Sequence, residues 1–425
     1  MNHSTDAARF RWLVLAVFVL STAINYLDRT TLAQLAAPIS DEFHLSNAQY
    51  GLVQTAFFIP YAATATFAGL LIDNIGLNWA ASLAVGLWSL AGIATGFSRG
   101  LVALVVCRAV LGLAEAGGIP AAAKAIHQYL RPAERSLGNA VNQMGVSFGI
   151  MAATPLATGM ALWKGWRSAF IVTGLLGLLW IPLWNLVARV APAAPLPKPE
   201  AGSRTAMLLD RRLWTFMVAN ALSMVGYSLW TVWTPKYFMK VHHLTLAEAA
   251  WYTWIPPLCA LLGGIAGGWL SLRLVDRGVP ALPARFRVCL LAAGISLVTA
   301  LLPFAPHPAW TCAGISLSFA AVAAFSVNMY SMPLDAFGGA RAAFAVSFLT
   351  ASAGAIAATI SYPIGKIVDL WGYAPVTSVA AVTPLAACAV LWGAKSIRES
   401  RGADPLFRGW STERPSAGSP PRTVR

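Results

Sequence analysis

Asn25-Tyr26-Leu27-Asp28-Arg29 lies in the middle of the apolar run 12–39, and Arg108 precedes Glu115 by seven residues in the apolar run 101–127. Each run is long enough to cross a bilayer, which takes about 20 apolar residues. Ionisable groups at that depth cost roughly 2.5–3.5 kcal/mol each on insertion scales and usually mark a transport or proton pathway. A carrier is therefore the first expectation.

The rest of the chain supports a membrane fold. Twelve apolar runs can be marked, at 12–39, 48–72, 79–98, 101–127, 137–160, 166–189, 211–239, 247–271, 285–304, 309–334, 341–368 and 373–395. Only 11% of the residues are charged and 57% are hydrophobic, whereas a soluble domain carries about 25% charged residues. The run that begins at Trp12 outlasts a signal-peptide core and lacks a small-residue cleavage site, so it reads as a first transmembrane helix. The fold expected is an all-α membrane protein with twelve transmembrane helices in two six-helix halves.

The formal charge of +14 is explained by loops. Arg9 and Arg11, Arg131 and Arg135, the stretches 189–212 and 273–287, and the tail from Lys395 all fall on one side of a simple helix count. That bias places both termini in the cytoplasm of a multi-pass protein of the cytoplasmic (inner) membrane. Nucleic-acid binding is excluded, because no basic soluble domain exists to perform it. The cysteines Cys107, Cys259, Cys289, Cys312 and Cys388 are scattered among apolar runs without metal-ligand or redox spacing. The histidines fall mostly in loops, so no metal and no cofactor is expected beyond the proton as coupling ion.

The Pro-rich stretch 190–210 should be extended and solvated, and it divides six runs from six. The expected organisation is a first half at 1–189, a cytoplasmic linker at 190–210, a second half at 211–395 and a disordered tail at 396–425. The halves echo each other weakly. Gly69 to Gly76 closes the second run around Asp73, and Gly268 to Ser271 closes the eighth, with Asp276-Arg277-Gly278 following. A six-plus-six repeat around a central linker is the layout of major facilitator carriers. Small residues crowd several runs, as at Gly263-Gly264 and Gly267-Gly268, which fits close helix packing.

Helical geometry assigns partners to the buried charges. Asp28 and Arg29 are adjacent, so they point about 100° apart and each needs a partner from elsewhere. Arg108 and Glu115 are two turns apart and share a face. Runs 1 and 4 should therefore meet across a polar cavity, with Arg29 close to Glu115 and Arg108 nearer the outer side. A static ion-pair network is the competing explanation, but a buried pair gains little over apolar packing, which makes function the better reason to keep one. A carboxylate in such a cavity can take and release a proton as its surroundings change. An arginine stays charged and can grip a carboxylate with two parallel hydrogen bonds. Two possible proton carriers and two possible anion clamps fit an organic anion that moves with protons.

Other polar residues are weaker signals. Tyr26 and Tyr61 lie at membrane depth and can donate to a polyol or carboxylate. Asn139, Asn142 and Gln143 share a face of run 5, where they either bond between helices or touch substrate. Trp230 and Trp233 share a face of run 7, as packing or as a ligand platform, just before Pro235, which should break that helix. Asn328 in run 10 is open to the same two readings. Lys124 lies nine residues beyond Glu115, where it snorkels or joins a gate.

In these residues the chain resembles the anion:cation symporter family of the major facilitator superfamily. The resemblance runs through both halves. It rests on Asn25 to Arg29, on Leu45-Ser46 with Gln49-Tyr50-Gly51, and on Arg108, Leu111-Gly112, Glu115-Ala116, Pro120-Ala121, Lys124, Pro132 and Glu134-Arg135. It continues through Gly165-Trp166-Arg167 with Phe170, then Trp233, Pro235, Tyr237, Ile255-Pro256 and Gly267-Gly268. The resemblance implies proton coupling at Asp28 and Glu115. It also implies a binding cavity containing Tyr26, Arg29, Tyr61, Arg108 and Gln143, to which Trp230, Trp233 and Asn328 are candidate additions. Gating is expected at Asp73, Lys124 and Arg135.

The departures bear on gating and on substrate. Asn74 and Asn78 stand where the family keeps basic residues after the second helix, and Leu272 follows Ser271 where it keeps Asp. The cytoplasmic latch should be weaker or differently built. Ala65 replaces a frequent Gln and opens space beside the cavity. The expected protein is a monomeric proton symporter that imports a sugar acid (a hexuronate or aldonate) by alternating access. The alternatives are another carboxylate, such as a dicarboxylate, aromatic acid or amino-acid-like anion, or facilitative exchange of such an anion. An intramembrane enzyme would need a nucleophile and base, or metal ligands, at depth, and the runs supply neither.

Overall fold

A computed structural model describes residues 3–130, 134–190, 209–337 and 339–393. Most of the expected linker, 191–208, and the expected tail, 396–425, lie outside the described residues. Among those described, the first half comprises α1 (His3–Gln34), α2 (Ala36–Glu42), α3 (Asn47–Ile75), α4 (Leu77–Gly96), α5 (Leu101–Glu115), α6 (Gly118–Tyr129), α7 (Arg135–Lys164) and α8 (Trp166–Val190). The second comprises α9 (Arg211–Val241), α10 (Leu246–Thr253), α11 (Ile255–Asp276), α12 (Ala281–Ser296), α13 (Pro308–Phe337), α14 (Gly339–Trp371) and α15 (Ala374–Gly393), and α12 runs on as the 3-10 stretch Leu297–Phe304.

Ten of the described stretches are long and apolar enough to cross a membrane. The helices α3 and α9, of 29 and 31 residues, complete the twelve. Arg211, Arg212, Lys236 and Lys240 lower the apolar character of α9.

Three of the twelve crossings are broken where the sequence suggests one run. The first divides at Leu35, the fourth at Ala116-Gly117 and the eighth at Trp254. Each break sits three or four residues before a proline, at Pro38, Pro120 and Pro257. A proline removes the hydrogen bond to the carbonyl four residues back and crowds it. Pro235 behaves differently from expectation, because α9 continues through it. Thr231 Oγ1 donates to the Tyr227 carbonyl and Thr234 Oγ1 to the Trp230 carbonyl on the preceding turn, and Pro235 is buried among neighbouring helices. Buried surroundings and threonine hydroxyls are what let a membrane helix absorb a proline.

A repeat between the halves becomes plain at the loops. His44 and His243 both adopt a left-handed backbone, with φ of 52° and 54°. Each is followed by Leu and a hydroxyl cap, Ser46 or Thr245, which forms a reciprocal capping box with Gln49 or Glu248. The matching strings His44-Leu45-Ser46 and His243-Leu244-Thr245 are legible in the sequence as a second echo of the six-plus-six plan.

Packing separates the halves and then rejoins them at one end. Phe18, Trp180, Trp184 and Tyr129 belong to a core within the first half, and Phe216, Phe286, Phe325 and Met329 to a core within the second. Gly263 and Gly267 face Ala320 and Ala324 closely enough that an added Cβ would collide, so the small residues of α11 serve helix packing. A third core is shared, with Tyr50 and Phe170 against Trp230, Trp233, Tyr237 and Phe238.

The polar links between halves gather at the end that carries loops 43–46, 242–245 and 372–373. Asp369 of α14 caps the N-terminus of α3. Its Oδ1 accepts from Asn47 N at 3.0 Å and Nδ2 at 2.8 Å, and its Oδ2 accepts from Ala48 N at 2.8 Å. Lys240 pairs with Asp41 at 2.6 Å, and Lys236 donates to Ser40 Oγ at 3.2 Å. Tyr50 OH donates to the Val232 carbonyl at 3.1 Å. At the opposite end, the ion pairs Arg11–Glu134 and Arg285–Asp335 each stay within one half. Among the described residues, the halves are thus bonded together at the loop 43–46 end.

At that end Glu42 also ties the first crossing to the sixth. Arg167 grips both of its oxygens, at 3.0 and 2.7 Å, and Trp166 Nε1 donates to it. The hydrogen bonds from Arg167, then that from Trp166, hold the Glu42 carboxyl below its ordinary range.

Asp369→Ala leaves the Asn47 and Ala48 amides without their acceptor and should cost about 1–2 kcal/mol, as loss of a helix cap does. Lys240→Ala removes an exposed pair and should change stability by less than about 1 kcal/mol. Thermal unfolding in detergent should therefore show a clear fall in Tm for the first variant and little change for the second.

Candidate functional site

Asp28 and Arg29, one residue apart on α1, are turned to different surroundings as their spacing requires. The helix α1 packs on α6, α7 and α8, while α5 packs on α3 and α4. The Arg29 side chain reaches from α1 to Glu115 at the last turn of α5. Its Nε and Nη2 both lie 2.8 Å from Oε2. Glu115 is fully buried and Arg29 retains 18% exposure, so the pair is reached from the arginine side. The other carboxylate oxygen, Oε1, has no hydrogen-bond partner.

The chain breaks immediately beyond Glu115, at Ala116-Gly117. The break ends α5 and leaves Glu115 at its terminus, as half-helices do at ion sites of carriers. Gly112, one turn earlier, sets the distance between helices: an added Cβ would stand 2.1 Å from the Phe57 carbonyl oxygen. That approach brings Phe57 and Tyr61 of α3 beside Arg29. The guanidinium carbon lies 4.9 Å from the Tyr26 ring centroid, 4.9 Å from Phe57 and 4.7 Å from Tyr61. Three rings hold the cation from the sides and leave its salt bridge aimed at Glu115.

Asp28 is buried against the sixth crossing. Thr173 Oγ1 donates to its Oδ1 at 2.7 Å, and Oδ2 has no hydrogen-bond partner. Arg108 on α5 is 1% exposed. It makes no hydrogen bond or ion pair among the described residues, and its Nε is unpartnered. Asp28 and Glu115 are the acidic charges that act on it, and Tyr50 is the other favourable neighbour. A buried guanidinium with five donors and no acceptor is costly unless something supplies the acceptor.

A small pocket between the halves, one residue along α1 from Arg29, is lined by Thr30 and Gln34 of α1, Ile150 of α7, and Tyr227, Trp230 and Thr234 of α9. The Trp230 indole N–H is buried without a partner. Gln143 is exposed and lies seven residues before Ile150, on the same face of α7.

The remaining candidates go elsewhere. Asn142 accepts from Thr22 Oγ1 at 2.9 Å, so it ties α7 to α1. Trp233 packs edge-on against Tyr50 at 5.2 Å and against Tyr373 at 6.3 Å, within the seal between halves. Asn328 donates to the Gly267 and Ala324 carbonyls at 3.2 and 2.9 Å, which fastens α13 to α11. Lys124 Nζ donates to the Ile72 carbonyl at 2.9 Å near the C-terminal end of α3. The side chains of Asp73 and Arg135 lie outside the described residues. Thr173 was not among the sequence candidates; a threonine in an apolar run carries no signal until the helix opposite is known.

The profile described as Major Facilitator Superfamily matches residues 18–361. The chain belongs to that superfamily, a family of membrane transporters and not of enzymes. It is 26% identical over 406 residues to the hexuronate transporter of Escherichia coli K12, covering 90% of this chain and 93% of that one. It is 30% identical over 348 residues to a probable sulfoacetate transporter of Cupriavidus necator, covering 77% and 80%. The D-galactonate transporter of Escherichia coli is 27% identical over 304 residues, covering 65% and 70%. Among solved structures, a bacterial homolog of the human lysosomal transporter Spinster, in an inward-facing and occupied conformation, shares the fold. Its TM-score is 0.75 at 21% identity, with 90% of this chain and 96% of that one covered.

Removing one partner of a buried ion pair typically costs about 3–5 kcal/mol, whereas removing both is often nearly neutral. Arg29→Met should therefore lower the detergent Tm sharply, and the double variant Arg29→Met/Glu115→Gln should recover most of the loss. A double-mutant cycle on thermal unfolding measures the coupling.

Proposed function

We propose that the chain is a proton-coupled symporter that imports an organic anion, most simply a sugar acid of the hexuronate or aldonate kind, by alternating access. One observation carries the reading: Arg29 is held by three rings against Glu115, while Arg108 lies buried within electrostatic reach of both carboxylates without a hydrogen bond among the described residues. An incoming carboxylate supplies the acceptor that Arg108 lacks, and it competes with Glu115 for Arg29. A carboxylate that loses its arginine in a low-dielectric cavity is favoured to bind a proton. Anion and proton would then enter together.

Tyr26, Tyr61, Gln143 and Trp230 would contact the neutral part of the substrate, and Asp28 would be the second proton site. The relatives named for hexuronate and D-galactonate support a hydroxylated anion. The residues by which α9 lines the neighbouring pocket are tyrosine, tryptophan, threonine and proline, which suits a monoanion with hydroxyl groups. A short dianion bridging Arg29 and Arg108 is the second reading, and the sulfoacetate relative favours it.

In this reading the carrier is a monomer in the cytoplasmic membrane, with the basic loops, both termini and the linker on the cytoplasmic side. The halves are sealed at the outer end by Asp369, Lys240 and the Tyr50–Trp233 contact. At the inner end, the Asn78 side-chain oxygen is buried without a hydrogen-bond partner and Leu272 is exposed. Lys124 of α6, bonded to the end of α3, together with Asp73 and Arg135, would work the inner gate.

A thermal-shift screen against hexuronates, aldonates and sulfoacetate identifies the anion, and uptake into liposomes then tests coupling. Glu115→Gln should lose uptake driven by a pH gradient while keeping exchange of labelled for unlabelled anion. Arg108→Ala should lose binding by at least tenfold. Full concentrative uptake by Glu115→Gln would remove the coupling role.

A further inference from the structure

The two acidic residues of the site are built differently, and the difference assigns new residues. Glu115 meets the partly exposed Arg29, whereas Asp28 points behind α1 toward α4 and α8. There Thr173 Oγ1 lies 2.7 Å from Asp28 Oδ1 and 3.2 Å from the Phe170 carbonyl oxygen. A hydroxyl has one proton to donate, so the shorter contact takes it. Asp28 Oδ2 has no hydrogen-bond partner, and it sits over Gly92 of α4, where an added Cβ would stand 2.9 Å from it. Thr173 is wholly buried and Asp28 is 1% exposed, so no solvent route competes with the hydroxyl.

The structure assigns Thr173 and Gly92 to a rear pocket that positions the Asp28 carboxyl for proton exchange: Thr173 donates to the ionised form, and Gly92 leaves the space that its second oxygen occupies. This rests on Asp28 being a coupling carboxylate. When Asp28 is ionised, the Thr173 hydroxyl faces it. When a proton arrives on the carboxyl, the hydroxyl is free to turn to the Phe170 carbonyl, its other acceptor within reach. Protonation of the first crossing would thereby be felt on the sixth, through one rotating hydroxyl.

Few other charges bear on the carboxyl. Arg108 of α5 acts on it, and Glu115 interacts with it. Arg29, the next residue on α1, is committed to Glu115. The helix α4 carries no charged residue. The basic residues of α8 and α7 stand toward their ends, at Arg167, Arg189 and Lys164, with Arg135 at the first turn of α7. Lys124 of α6 donates to Ile72. Thr173 is thus the nearest donor to a carboxyl that has no salt bridge of its own among the described residues.

The test is infrared difference spectroscopy of the purified protein across a pH series, with the protonated carboxyl band that disappears in Asp28→Asn assigned to Asp28. Thr173→Val keeps the shape and removes the hydroxyl. Its Asp28 band should change frequency, and its titration midpoint should move by about one to two pH units, since hydrogen bonds to charged groups are worth that much. Thr173→Ser should restore both, and Gly92→Ala should displace the band while Thr173 is intact. A midpoint in Thr173→Val equal to that of the unmodified protein would overturn the assignment. Proton-driven uptake retained by Asp28→Asn would instead refute the coupling role of Asp28, while the infrared midpoint would still decide what Thr173 does.

Discussion

An arginine and a glutamate joined inside a membrane govern this structure. Arg29 and Glu115 meet at 2.8 Å with the carboxylate fully buried. Desolvating two such charges costs several kcal/mol each, and their attraction repays it only when the geometry is close and the remaining polar atoms are satisfied. Here they are not all satisfied, because Glu115 Oε1 has no hydrogen-bond partner and neither has the Nε of the neighbouring Arg108. The site is therefore held short of its best static arrangement. The surrounding architecture serves that pair. The helix break after Glu115, the close approach at Gly112 and the three rings around Arg29 all fix its geometry.

The division of labour between the halves follows. The charges of the central cluster come from the first half, while the second presents Tyr227, Trp230 and Thr234 to the pocket beside Thr30 and Gln34. An anion gripped on one side and touched by aromatic and hydroxyl groups on the other can join two bodies that are otherwise bonded at one end only. In the proposed cycle, the bonds at that end (the Asp369 cap, the Lys240–Asp41 pair and the Tyr50–Trp233 contact) must break for the cavity to face the other way.

Much of this was legible in the sequence, and the limits have physical causes. Misplaced charges in apolar runs marked a buried charge cluster, and the one-residue spacing of Asp28 and Arg29 separated their partners, Thr173 and Glu115. Run length gave twelve crossings. Rotation about each helix axis could not be read, so Asn328 and Trp233 emerged as packing residues and Thr173 was missed. Proline gave a mixed signal. Pro38, Pro120 and Pro257 break their crossings as local rules require, but Pro235 does not, because buried neighbours and threonine hydroxyls hold α9 together. The Asp369 cap joins residues more than 300 positions apart, which no local pattern announces.

The central claim is that substrate and Glu115 compete for Arg29, so that anion binding draws a proton into the site. The direct measurement is proton uptake on binding. An anion identified by thermal shift is added to the purified protein in weak buffer with a pH indicator dye. The account predicts that protons are taken up as the anion binds, in proportion to the sites filled, and that Glu115→Gln reduces this uptake. Saturating binding with no proton taken up would contradict it.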